Sequence, residues 1–311
     1  MSKLSIDQIT KIRADLNAWV KVSPKQRTNP LIGKATGYNH STISQFRNNV
    51  YPGDSETVAL KVQKFLEAQK QYGSFLTSEP VFAQTSAAEE VAKTIDFALT
   101  FNKIALVIGE PGGGKSISLK EYSKEQVNII YLQIKPTITR RSLIEMLCRA
   151  LKINPEDGSN NQNFDKSVNA LSDSSRLVIF DEGEHLRVPE HEIIRRLQDF
   201  TQIPMILAGT YNLERTLCGR RGELKQLTSR IAMKTEIPLL NENDSRIILE
   251  SNYPEASKFY ETFHMLCKKN GRYLENLMNL VRFAVMRGGV QITEELVMEC
   301  STMLLPLAME R

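Results

Sequence analysis

The chain has 311 residues, 41% hydrophobic and 24% charged, and a formal net charge of +4. That length leaves room for two or three domains with real cores, and no apolar run is long enough to span a bilayer. Cys148, Cys218, Cys267 and Cys300 are scattered without a C-x-x-C pair. They read as small buried residues of a reducing compartment, which argues against a disulfide framework or a zinc site.

The charge is unevenly spread. Residues 1–72 hold 11 Lys/Arg against 5 Asp/Glu, a net +6, which leaves 29 against 31, or −2, for the rest. A basic segment on a nearly neutral body points to a nucleic-acid contact at that end. The first residues, MSKLSIDQITKIR, lack the apolar core of a signal peptide, so a cytoplasmic setting is expected.

Residues 4–22 carry Leu4, Ile9, Ile12, Leu16, Trp19 and Val20 near helical spacing. After a Ser23-Pro24 break come Asn29–Lys34, a turn at Thr36-Gly37-Tyr38-Asn39, and His40–Asn48. Helix, glycine turn and helix make a helix-turn-helix layout, with Gly37 taking the positive φ and Asn39 or His40 opening the second helix. Ile43 and Phe46 would face the core. Ser41, Thr42, Ser44, Gln45 and Arg47 would face a major groove or phosphates. Val58–Phe65 is a further helix, and Gln69–Ser86, with Gly73 and Pro80, reads as a polar connection.

Ala87–Leu99 is a helix leading into Ile104–Ser116, IALVIGEPGGGKS, the centre of the chain. The aliphatic run Ile104–Ile108 is a buried strand. Gly109, Gly114, Lys115 and Ser116 then fit G-x-x-x-x-G-K-[ST], the phosphate-binding loop between a strand and a helix. Glycines at 109, 112, 113 and 114 turn backbone N–H groups inward around a phosphate chain, and the next helix adds its positive dipole end. Residues Gly109, Glu110, Pro111, Gly112, Gly113, Gly114, Lys115, Ser116 and Ile117 are therefore the candidate ATP contacts. Lys115 would reach the β- and γ-phosphates, and Ser116 would ligate Mg²⁺.

Further strands are expected at Asn128–Ile134, Leu177–Phe180, Met205–Ala208 and Lys234–Ile237, with helical patterns between them, so the fold class is α/β with a parallel sheet. In RLVIFDEGEHL (176–186) an apolar strand delivers Asp181 and Glu182 to the C-terminal sheet edge, where ligands bind. Asp181 would hold Mg²⁺ and Glu182 would be the general base that activates water. Glu184 and His185 are expected to begin the next helix. Pro204–Leu213 ends a strand at Thr210, which would either contact the γ-phosphate or its attacking water, or simply mark a strand-ending turn. Arg230, in LTSRI, would reach a neighbouring subunit's nucleotide as an arginine finger or form an internal ion pair. From Asn241 onward the pattern is helical, at Glu242–Ser251, Glu255–Lys269, Leu274–Arg287 and Glu294–Leu304.

These motifs, TGYNHSTISQF, GEPGGGKS, VIFDEGEHL, ILAGT, TSRIAM and the helical tail, resemble AAA+ ATPases. Within that group the order is similar to the MuB-like target-selection family of transposition, which includes TnsC and the IstB-type helpers. The resemblance implies domains at 1–72 (helix-turn-helix), 73–86 (linker), 87–238 (ATPase core) and 239–311 (α-helical lid). It also implies ATP and Mg²⁺ as cofactors, and catalytic roles for Lys115, Glu182, Thr210 and Arg230. Expected partners are double-stranded DNA, a DDE-type transposase and further copies of the chain in a filament or ring, with no membrane partner, in a host bacterial cytoplasm. For DNA contact in the assembly the candidates are Lys135, Thr137, Thr139, Arg140 and Arg141 of KPTITRR, which would neutralise phosphates without reading bases.

Three positions depart from the family pattern. Thr210 stands where the first sensor is asparagine. Glu275 stands where the lid helix often bears a second-sensor arginine, with Arg272 one turn earlier. Gly33 stands where a helix-turn-helix usually has alanine. A helicase loader and an ATP-sensing helix-turn-helix regulator share much of this pattern; the acidic pair Asp181–Glu182 argues against the second.

Overall fold

The computed structural model describes residues 4–22, 27–76, 81–155, 159–219, 222 and 224–305. The chain divides into two compact units, Met1–Val81 and Phe82–Arg311. The expected Ser23-Pro24 break lies outside the described residues.

The first unit is helical: α1 (Ile6–Val22), α2 (Asn29–Thr36), α3 (His40–Arg47) and α4 (Ser55–Leu76). Its core is built from Leu16, Ile32, Ile43, Phe46, Ala59 and Val62, none with accessible surface, and the Trp19 and Phe65 rings meet edge-on at 5.1 Å. Pro30 starts α2, and Gly37 ends it in the left-handed region at φ 77°. Asn39 caps α3, its side chain accepting from Thr42 N at 2.8 Å. Gly33 has a packing reason. A Cβ there would lie 2.6 Å from Tyr38 O, so the turn closes onto α2 only because no side chain intervenes. The stretch from Gln69, read as a connection, instead continues α4 to Leu76. Gln, Lys and Leu favour helix there, and a single glycine is tolerated.

In the second unit α5 (Ser86–Phe101) leads to β1 (Ile104–Ile108), α6 (Lys115–Glu125), β2 (Ile129–Gln133), α7 (Arg140–Ala150), α8 (Asn160–Leu171) and β3 (Leu177–Asp181). α9 (Val188–Thr201), β4 (Met205–Gly209), α10 (Tyr211–Leu217), α11 (Lys225–Thr228) and β5 (Ile231–Glu236) follow. The five strands form a parallel sheet in the order β2-β3-β4-β1-β5. Alternation within strands fills two layers. Leu106, Phe180 and Leu207 pack with Leu143, Leu147, Ile194 and Leu197; Val107, Ile179 and Ile206 pack with Val91, Ile95 and Leu119.

The helical tail comprises α12 (Glu242–Asn252), α13 (Tyr260–Leu266), α14 (Gly271–Gly288) and α15 (Glu294–Ser301) around Leu249, Phe263, Leu274, Leu277, Val281 and Val297. The single helix expected over Glu255–Lys269 is split. Residues Pro254–Phe259 form 3₁₀ turns, and Lys268 and Lys269 adopt φ of 50° and 61° after α13 ends. Asp244 joins this helical tail to the start of α5, accepting from Ser86 N at 2.7 Å and Ser86 Oγ at 2.6 Å. Cys148, Cys267 and Cys300 are buried, whereas Cys218 is exposed, contrary to expectation. It caps the C-terminal end of α10. Among the described residues no helix is long and apolar enough to cross a membrane.

Candidate nucleotide site

The site begins where β1 leaves the sheet interior. Gly109 N donates to Gly209 O at 3.3 Å, and a Cβ on Gly109 would lie 2.9 Å from Ile237 O. Gly112 and Gly114 adopt φ of +87° and +94°, left-handed backbone that suits glycine. Gly114 then opens α6 with no side-chain cap, which leaves the first-turn N–H groups directed at the loop. Glycine backbone, uncapped helix start and Lys115 together fit a polyphosphate. Ser116 at the same helix start and Asp181 at the strand end are oxygen donors of the kind Mg²⁺ takes.

Lys115 is 7% exposed, and its Nζ donates to Gly109 O at 2.6 Å and Glu110 O at 2.8 Å. Burial pushes its pKa below the ordinary lysine value, against the opposing pull of the carboxylates of Glu184, Asp181 and Glu110. The residue that would meet phosphates thus already sits among the carboxylates at the sheet edge.

Asp181 is the last residue of β3, 1% exposed, and accepts from Tyr131 Oη at 2.6 Å. Burial, then the Asp181 hydrogen bond, hold the Tyr131 phenol well above its usual range, so this tyrosine donates rather than ionises. Glu182 adopts φ 59°, a left-handed conformation that is costly for a residue with a Cβ and is concentrated at functional sites. Its Oε1 accepts from Gln133 Nε2 at 2.9 Å, and its Oε2 lies 4.0 Å from His185 Nε2.

Glu184 and His185, expected to start a helix, lie in a single 3₁₀ turn (Gly183–His185), and α9 begins at Val188. This turn returns Glu184 to the site, where Oε2 accepts from Thr210 N at 3.3 Å. Thr210 sits at the end of β4 and caps α10, its hydroxyl accepting from Asn212 N at 3.4 Å. The helical tail also meets the loop. Gly271 N donates to Gly112 O at 2.9 Å, and Arg272 in the first turn of α14 is close enough to bear on the Lys115 charge.

Four site residues escaped the sequence reading: Tyr131, Gln133, Glu184 and Asn270. Tyr131 and Gln133 stand two apart on β2, in register with Ile179 and Asp181 of β3. That alternation towards the acidic pair was the available signal. Nothing in the sequence pairs Asn270 with the loop.

Arg230 shows the internal ion pair. Its guanidinium binds both carboxylate oxygens of Asp199, Nη2 at 3.0 Å from Oδ2, and also the Gln226 carbonyl. Among the DNA candidates, Ser41 and Gln45 are exposed, Thr42 is partly covered, and Arg47 is drawn inward. Arg47 Nε donates to Asn17 Oδ1 at 2.8 Å and Nη1 to Asn29 Oδ1 at 2.6 Å, tying α3 to α1 and α2 rather than pointing outward. In 135–141, Lys135, Thr137 and Arg140 are exposed. Thr139 caps α7, accepting from Ser142 N at 3.2 Å, and Arg141 pairs with Glu145 at 2.8 Å.

Residues 101–217 match the AAA domain family. The chain is 28% identical over 294 residues to the ATP-dependent target DNA activator B of Escherichia phage Mu, covering 92% of this chain and 93% of that protein. It is 26% identical over 236 residues to the Mu-like prophage FluMu DNA transposition protein B of Haemophilus influenzae, covering 74% and 82%. The Aeropyrum pernix ORC2 protein, in its ADPNP-ADP complexes, shares the fold with a TM-score of 0.56 at 13% identity, over 74% of this chain and 72% of that one. Domain match, sheet order and whole-length relatives agree: residues 101–217 match an AAA domain on a five-stranded parallel sheet, and the chain is similar over nearly its full length to the Mu-type target DNA activator B proteins.

Proposed function

We propose that this protein is an ATP-hydrolysing, largely sequence-nonspecific double-stranded DNA-binding protein that assembles on DNA and delivers it as a target to a transposase. It would act in a host bacterial cytoplasm. The observation that carries the hydrolytic half is the juxtaposition of buried Lys115 with the carboxylates of Asp181 and Glu184 beside an uncapped helix start. The DNA half is supported by the match to proteins named ATP-dependent target DNA activator B, which spans 92% of this chain.

In this reading the loop amides and Lys115 bind and orient the phosphates of ATP. Ser116 and Asp181 would hold Mg²⁺, which when bound supplies charge neutralisation on the phosphates. Tyr131 keeps Asp181 oriented by donating to it. Glu182 takes the proton of the attacking water, and Gln133 fixes the carboxylate between turnovers. Thr210 and Glu184 form a linked pair at the end of β4 that orients the water. Arg230 would leave Asp199 and complete a neighbour's site when copies stack. Such head-to-tail contacts continue into filaments unless the rotation closes a ring. Lys135, Arg140 and Arg141 supply phosphate contacts, with the exposed α3 residues Ser41 and Gln45 as a second DNA face.

The test is duplex binding and ATP turnover by the full chain. ATP hydrolysis stimulated by an unrelated duplex is expected. Absence of both nucleotide-dependent DNA binding and ATP turnover in the purified protein would overturn the reading.

A further inference from the structure

The lid meets the phosphate loop through a short segment held in an unfavourable backbone conformation. Lys268 and Lys269 are consecutive non-glycine residues with positive φ. Such backbone persists where the surroundings impose it. Here Leu240 N donates to Lys269 O, and Asn270 N donates to the carbonyl of buried Cys267, both at 3.0 Å. The double left-handed turn sets Asn270 onto the loop apex.

Asn270 then serves both structures at once. Its Oδ1 caps α14, accepting from Arg272 N at 3.0 Å and Tyr273 N at 3.3 Å. Its Nδ2 donates to Pro111 O at 2.9 Å. Alongside, Gly271 N donates to Gly112 O at 2.9 Å. The fit leaves no spare room. A Cβ on Gly112 would lie 2.3 Å from Asn270 Oδ1, and one on Gly271 would lie 2.9 Å from Gly112 O. A side-chain amide offers the acceptor and the donor together. A carboxylate keeps the acceptor and lacks the donor, and a serine hydroxyl caps a helix without reaching both partners.

Resting on the reading of this loop as a nucleotide site, we propose that Asn270 is a positioning residue for the phosphate loop. It holds the Pro111–Gly112 apex in the shape that turns the loop amides inward, and so makes lid placement and loop shape one variable. Nucleotide seated on the loop then fixes the lid, and a displaced lid opens the loop.

The experiment compares the wild-type full chain with Asn270→Ser and Asn270→Asp, both of which keep a helix-capping acceptor and lose the donor to Pro111. The readouts are thermal midpoint without nucleotide, affinity for Mg·ATPγS, and amide exchange of peptides covering 110–114 and 267–276. The expected result is a midpoint lowered by no more than about 2–4 °C, with affinity lowered about five- to tenfold, the size of one lost hydrogen bond. Faster exchange at 110–114 without nucleotide, and loss of the nucleotide-induced protection at 267–276, should accompany it. Wild-type affinity in both variants would overturn the proposal, and so would lowered affinity with unaltered exchange at 110–114. Should the serine variant not fold, the aspartate variant decides alone by the same criteria. Failure of the wild type to bind Mg·ATPγS overturns the nucleotide reading and the clamp with it; wild-type binding with indifferent variants overturns the clamp only.

Discussion

Replacing Arg230 with alanine separates the two roles this arginine is given, one inside the chain and one across a subunit junction. Inside the chain it pairs with Asp199, and both side chains are 30% exposed. Asp199 does not depend on it, because Arg195, only 14% exposed, binds the same carboxylate at 2.5 Å. Removing Arg230 therefore leaves no orphaned buried charge, and the cost to stability should be about 1 kcal/mol, or roughly 2–4 °C in thermal midpoint for a unit of this size. The same arrangement lets Arg230 depart towards a neighbour at small cost. If it stabilises a transferring phosphoryl group there, its loss should lower turnover about 10³-fold, on the order of 4 kcal/mol in barrier height. A structural loss of about 1 kcal/mol cannot produce that factor. The assay combines steady-state ATP turnover, thermal midpoint and mixtures of Arg230→Ala with Glu182→Gln, each inactive alone. Across a junction, an intact Arg230 meets an intact Glu182 in some pairs, and activity partly returns. Turnover within fivefold of wild type, or no recovery in mixtures shown to co-assemble, would refute the trans role.

Three further outcomes are expected. Alanine at Lys135, Arg140 and Arg141 should weaken binding to unrelated duplexes by similar factors and flatten the salt dependence by about 0.9 in log–log slope per lost phosphate contact; an unchanged slope would move the DNA path elsewhere. His191 has no accessible surface, and burial lowers its pKa from 6.5 to about 4, so it stays neutral in the fold while the unfolded chain takes up a proton. Stability should therefore fall as pH drops from about 6.5 to 4, by about 3 kcal/mol in all, and His191→Leu should flatten that part of the urea-midpoint profile. Gly33→Ala should destabilise the first unit by about 1–3 kcal/mol, read as a lower urea midpoint, despite alanine's better helix propensity, because the new Cβ meets Tyr38 O at 2.6 Å; a raised midpoint would contradict that close approach.

What was legible in the sequence was covalently local. The phosphate loop, its strand and Asp181–Glu182 lie in contiguous stretches whose spacing alone sets their chemistry, and each strand of the sheet interior reads as an aliphatic run. β5 was less legible. It begins at Ile231, three residues before the expected start, because an edge strand alternates outward Lys234 and Glu236 with inward residues instead of running apolar. Glu184 was misplaced because helical propensity cannot show that the chain will make one 3₁₀ turn and return a carboxylate to Thr210. Gln133 and Tyr131 became site residues through strand register, and Asn270 through lid docking 159 residues away from Pro111. Arg47 looked like a surface residue of α3 because its partners Asn17 and Asn29 lie on other helices. These are tertiary facts, which a one-dimensional pattern carries only when periodicity happens to reveal them.

The central claim is that ATP bound at this loop controls attachment to DNA. It is tested most directly by duplex binding with wild type, Lys115→Ala and Glu182→Gln in ATP. Lys115→Ala removes the buried cation that would meet the phosphates, so both nucleotide and DNA binding should fall. Glu182→Gln keeps the binding groups and removes the base, so its DNA complexes should outlive those of the wild type while ATP turnover collapses. Equal complex lifetimes for all three proteins, or wild-type turnover by Glu182→Gln, would contradict the account.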